Sequence, residues 1–148
     1  MVDAKEMAFR LVLAFLVGFF IGLERERRHK PAGVRTHTLV ALGAALFTLI
    51  GSYGFPQREA AYLPADPTRV AAQVVTGVGF IGGGIIFKDH DHIRGLTTAA
   101  SIWVTAALGT GIAAGLYLPA LLGALLGYIT LRLNYLLRRL GIEEAGEE

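Results

Sequence analysis

Acidic and basic residues alternate in Glu24-Arg25-Glu26-Arg27-Arg28, directly after the apolar run Met7–Leu23. On a helix Glu24 and Arg28 stand at i, i+4, an orientation that stabilises the helix end. Glu24 can also bridge Arg35 or Arg94, which open later apolar segments. A second cluster is Lys88-Asp89-His90-Asp91-His92. Alternating carboxylates and imidazoles can chelate a divalent ion, so Asp89, His90, Asp91 and His92 are the candidate metal ligands. The alternative is an ordinary solvated loop, and no metal is assigned. Nucleophilic catalysis finds no support, because serine occurs only at 52 and 101 and cysteine is absent. The expectation is a protein that is not an enzyme and carries no cofactor.

The elements that must hold these groups are membrane helices. Met7–Leu23, Thr36–Phe55, Val70–Phe87, Leu96–Leu116 and Leu118–Leu137 are predominantly apolar, in a chain that is 53% hydrophobic. Each approaches the ~20 residues that a helix needs to cross about 30 Å of hydrocarbon. Their interruptions are Gly, Ala, Ser and Thr, not the charged face of a surface helix. The fold class is therefore all-α, a single transmembrane domain over residues 1–148. Met7–Leu23 has no basic n-region before it and reads as a retained span.

Charge distribution orients the bundle. Arg25, Arg27, Arg28, Lys30, Arg35, Lys88, Arg94, Arg132, Arg138 and Arg139 fall on one side; Lys5, Arg10, Arg58 and Arg69 fall on the other. The positive-inside rule then puts the N-terminus outside and the C-terminus in the cytoplasm. The basic segment at the foot of the first helix suits anionic membrane lipid better than nucleic acid.

Polar positions within the spans form two stripes, Arg69/Gln73/Thr76 and Thr97/Ser101/Thr105/Gly109. Polar groups in hydrocarbon face a bundle interior or a cavity, so the stripes are expected to face one another. Either they line a small hydrated pocket or they join helices by hydrogen bonds. Trp103, deep in its span, is expected to pack inside. Carboxylates near the midplane are absent, which argues against a self-contained cation pump or channel.

Small residues pack such helices, and Gly18/Gly22, Gly79/Gly83, Gly111/Gly115 and Gly123/Gly127 all have GxxxG spacing. The last pair can serve the bundle or a second subunit. Val17-Gly18-Phe19-Phe20-Ile21-Gly22 is similar to Val78-Gly79-Phe80-Ile81-Gly82-Gly83, and Arg35-Thr36-His37-Thr38 to Arg94-Gly95-Leu96-Thr97-Thr98. This pattern fits a duplicated helical hairpin in parallel orientation, or shared composition alone.

Gly22-Leu23-Glu24-Arg25-Glu26 followed by Pro31-Ala32-Gly33-Val34-Arg35-Thr36-His37 resembles the start of the MgtC/SapB family of bacterial membrane proteins. Arg69-Val70-Ala71-Ala72-Gln73, Gly77-Val78-Gly79-Phe80-Ile81-Gly82 and Arg94 through Ala107 extend the resemblance, which covers about residues 10–115. It marks Glu24, Arg25, Glu26, Arg35, Thr36, Arg69, Gln73, Gly77, Gly79, Gly82, Arg94, Gly95, Thr97, Thr98 and Trp103 as motif positions. It implies a five-helix inner-membrane protein tied to growth in scarce magnesium, envelope homeostasis and, in pathogens, virulence. Members look like modulators of other membrane proteins, the ATP synthase included, and a homodimer or other homo-oligomer is expected. The rival is a small solute or ion transporter built on the duplicated hairpin. Gly83 stands where the family often has Ala, and many members continue into a soluble C-terminal domain.

Overall fold

The computed structural model describes residues 2–54, 66–90 and 92–139. Within them the chain forms five helices and one β-hairpin: α1 (Ala4–Arg27), α2 (Val34–Leu49, continued by a wider π turn over Ile50–Gly54), α3 (Pro67–Gly83), β1 (Phe87–Asp89), β2 (His92–Arg94), α4 (Leu96–Ala113) and α5 (Tyr117–Arg139). Three helical stretches, Ala4–Arg27, Val34–Gly54 and Leu96–Ala113, are long and apolar enough to cross a membrane, and Tyr117–Leu133 is a shorter apolar helix. The all-α membrane class holds. The helix α3 has 17 residues with Arg69 in its first turn, so its apolar part is shorter than the expected span Val70–Phe87. The difference arises because Gly83 and Gly84 end the helix early and the chain turns into β1.

Local signals set the helix ends. Helix α4 stops in a Schellman turn, where Leu116 N–H donates to the Gly111 carbonyl and Gly115 N–H to Ile112, with Gly115 at φ +84°. Helix α1 ends the same way, Lys30 N–H donating to the Arg25 carbonyl and His29 taking the left-handed position. Asp66 caps α3 by accepting from the Thr68 amide at 2.9 Å, and Pro67 fills the first turn. These two Thr68 hydrogen bonds, through hydroxyl and amide, hold the Asp66 carboxyl below the usual carboxylate range.

Helix α2 is gripped between α1 and α4 by near-backbone contact. A Cβ on Gly18 would lie 2.8 Å from the His37 carbonyl oxygen, and one on Gly22 would lie 2.6 Å from Val34 Cα. On the other side, Gly109 meets the Ala41 backbone. One apolar cluster joins Ala14, Val17, Ile21, Leu49, Leu108, Ile112 and Ala120; another joins Ala44, Val78, Ile102 and Ala106. Lipid supplies no hydrophobic drive between helices, so this close dispersion packing is what holds them.

The matched glycines of the two hairpins behave differently. Gly18 and Gly22 seat α2, whereas Gly79 and Gly83 have no atom within 4 Å of a Cβ built on them. On α5, Gly123 faces Leu108 and Gly127 faces Val104. That pair packs within the bundle. Trp103 is 50% exposed on the outer face of α4, not packed inside as expected. Its neighbours Ile102 and Ala106 take the core-facing positions instead.

Candidate functional site

Polar groups gather in two layers at opposite ends of the α1/α2/α4 core. Along α1 the layers are centred on Arg10 and Arg25, about 22 Å apart at 1.5 Å per residue.

The layer around Arg25 starts with Glu24 and Arg25, 5% and 3% exposed. Arg25 Nη1 lies 3.8 Å from Glu24 Oε2, and Arg28 Nε pairs with Glu24 Oε1. Both Glu24 oxygens are buried and accept no well-aligned hydrogen bond, and Arg25 Nε has none to donate to. Two guanidiniums against one carboxylate leave the cluster net positive, which disfavours a divalent cation. Arg25 Nη2 donates to Thr98 Oγ1 at 3.4 Å, linking α1 to the first turn of α4.

His37 is fully buried and ties α2 to α4. Its Nδ1 lies 3.0 Å from the Gly33 carbonyl oxygen, and its Nε2 lies 3.0 Å from Ser101 Oγ. A carbonyl can only accept, so Nδ1 carries the proton. In the neutral imidazole Nε2 is then an acceptor for the Ser101 hydroxyl. That hydroxyl also sits 2.8 Å from the Thr98 carbonyl, so one proton serves two acceptors. Glu26, though exposed, accepts from the Val34 amide at 2.8 Å and caps α2.

The expected bridge from Glu24 to Arg35 or Arg94 does not form. Glu24 is taken by its helix neighbours; Arg35 is exposed, and Arg94 Nε pairs with Asp89 Oδ2 at 3.4 Å. The expected facing stripes do not form either. Ser101 and Thr105 are buried, but Arg69, Gln73, Thr76 and Thr97 are exposed. Helix α2 occupies the place opposite Ser101, and Thr76 satisfies its hydroxyl on the Ala72 carbonyl at 3.2 Å. Thr98, not Thr97, belongs to the buried face.

Between α2 and α3 lies an open groove of about 460 Å³. It is lined by Leu39, Val40, Phe47, Val70, Val74, Val78 and Ile81, with Gly43, Ala44 and Gly77 among them and Gln73 as its one polar side chain. Gly43 and Gly77 have free space around them. Gly82 meets Ala99 at ordinary contact distance, Thr36 is half-buried, and Gly95 at φ +88° packs against the Ile85 carbonyl.

The Asp-His run forms part of an exposed β-hairpin, and its Asp89 and His90 pair at 2.9 Å. Asp91 lies outside the described residues. Among the described residues no group of three or more His, Cys, Asp or Glu side chains is placed to hold a metal.

The layer around Arg10 was not legible as a site, since in the sequence Arg10 serves only to orient the chain. Arg10 is buried, donates to the Ala113 carbonyl at 2.7 Å and to Tyr117 Oη at 2.9 Å, and lies 3.1 Å from Glu6 Oε1. Tyr117 also donates to Glu6, and Tyr53 Oη is 3.5 Å from Arg10 Nη1. One guanidinium thus staples α1 to the C-terminal end of α4, where the helix dipole favours a cation. The i, i+4 spacing of Glu6 and Arg10 was the one legible sign of it.

Comparison with known proteins gives a consistent assignment. Among curated relatives, "Putative magnesium transporter YhiD" of Escherichia coli (strain K12) is 47% identical over 127 residues, 85% of this chain and 59% of that protein. "Protein MgtC" of Brucella abortus is 52% identical over 103 residues, 70% of this chain and 40% of its own length. "Protein SrpB" of Synechococcus elongatus is 43% identical over 137 residues, 87% of this chain and 75% of that protein. The chain therefore spans about half the length of the YhiD and MgtC relatives. No solved structure matches it. The model of the MgtC family matches residues 11–140, and the chain belongs to that family.

Proposed function

We propose that this protein is a regulatory or accessory factor of the bacterial inner membrane that supports adaptation to scarce Mg²⁺ and envelope homeostasis by acting on membrane-protein partners. Its N-terminus faces outward, by the charge asymmetry. The observation that carries the reading is the α2/α3 groove. Its walls are apolar, two glycines leave room for a backbone, and Gln73 offers donors and an acceptor to a facing polar group. That is the chemistry of a docking surface for a partner's transmembrane helix. The α1/α2/α4 core beside it is packed through glycine contacts and carries no carboxylate at mid-depth. Homo-oligomerisation uses the other face of α3, where Gly79 and Gly83 stand open beside the exposed Phe80.

The magnesium link rests on the relatives' names. A second reading, a small ion or solute transporter, is favoured by the printed name of the YhiD relative. Growth in low Mg²⁺ of a strain lacking its own family member tests the first reading. Wild-type protein should restore growth. Gly77→Leu and Gln73→Leu, which fill or depolarise the groove, should fail to do so at equal membrane abundance. Full complementation by both variants would contradict the docking role.

A further inference from the structure

The hairpin β1–β2 has an arrangement that neither protein packing nor solvent explains. Its register pairs Phe87 with Arg94, Lys88 with Ile93 and Asp89 with His92. The two rungs nearest the helices therefore each join one apolar and one basic residue, and the third rung is polar. Side chains alternate across a strand, so Phe87 and Arg94 share one face while Lys88 and Ile93 share the other. Phe87 is 53% and Ile93 58% exposed, and Lys88 and Arg94 are exposed as well. Neither face is covered by the bundle. A lone two-stranded ribbon with both faces bare is marginal in water.

The ribbon's root is fixed. Ile85 packs against the second core cluster, and Gly95 closes onto the Ile85 carbonyl at a φ that favours glycine. The strands begin within four residues of the end of α3 and finish two residues before α4. The lower rungs thus lie beside the C-terminal end of α3 and the N-terminal end of the membrane-spanning helix α4. The polar rung stands two residues further along each strand, about 7 Å at 3.3 Å per residue. The headgroup layer on each side of the hydrocarbon is about 5–7 Å thick.

We propose that the lower two rungs of this hairpin are an interfacial lipid-binding element. Phe87 and Ile93 lie at the acyl boundary, Lys88 and Arg94 reach phospholipid phosphates, and the Asp89/His92 rung projects into water. The gradient of apolar, basic and polar groups along 7 Å argues for a lipid surface. Arg94 keeps its contact with Asp89 and still has other guanidinium nitrogens to offer.

Single tryptophans placed in a Trp103→Phe background test this in vesicles of phosphatidylglycerol and phosphatidylethanolamine. Phe87→Trp and Ile93→Trp should be quenched by brominated lipid several-fold more than His92→Trp, and His92→Trp should be quenched by aqueous iodide. Adding Lys88→Glu to Phe87→Trp should raise iodide quenching while helical content stays unchanged. Iodide access at 87 and 93 equal to that at 92 would overturn the proposal. So would protection of 87 and 93 from both quenchers, which would assign the ribbon to a protein contact.

Discussion

His37 Nε2 and Ser101 Oγ are 3.0 Å apart, and this contact joins α2 to α4 where both side chains are buried. In the neutral imidazole the histidine accepts there, because its Nδ1 proton is committed to the Gly33 carbonyl. The serine hydroxyl is shared with the Thr98 carbonyl. The polar link therefore stiffens the end of the α2/α4 contact that lies nearest the Glu24/Arg25 cluster.

Replacing Ser101 with Ala leaves the buried Nε2 without a partner. Unfolding in detergent should show a loss of about 1–3 kcal/mol, the usual cost of an unsatisfied buried polar group. His37→Phe combined with Ser101→Ala should cost less than the sum of the two single changes. Simple additivity would mean that the pair is not coupled.

The glycine pairs Gly18/Gly22 and Gly79/Gly83 occupy matched positions in sequence-similar segments but differ in surroundings. Gly22→Val meets the Val34 backbone and should abolish folding or cost more than the usual 1–3 kcal/mol of overpacking. Gly79→Val meets open space and should leave monomer stability unchanged while weakening self-association. Thermal stability and oligomer size measured in one detergent check both halves.

Arg10→Met removes the donor that satisfies the Ala113 carbonyl. The loss should be about 1.5–3 kcal/mol, the range for hydrogen bonds to charged groups. Detergent unfolding measures it, and an unchanged midpoint would show that the staple contributes nothing.

The charge asymmetry predicts that Lys30→Cys is shielded from an impermeant thiol reagent in intact cells, and that Lys5→Cys is labelled. The opposite pattern would invert the topology.

The helices were legible because apolar length alone specifies them, and the glycine pattern announced close packing. Partner choice was not legible. The i+4 spacing of Ser101 and Thr105 marked a polar face, but spacing cannot say which helix lies opposite, and α2 supplied His37 instead of α3. Glu24 found Arg28 one turn away, a local pair that outcompetes distant Arg35 and Arg94. Trp103 was misplaced because depth along a helix says nothing about its rotation. The ribbon at Phe87–Arg94 escaped because its strands have three residues each, too few to show a period of two.

Magnesium flux decides the central claim, that the protein acts on partners and is not itself a conduit. Purified protein reconstituted into sealed vesicles should carry no Mg²⁺ above protein-free controls under an inward gradient, as read by a trapped Mg²⁺-sensitive dye. Protein-dependent flux that Gln73→Leu abolishes would contradict the account and establish the transporter reading.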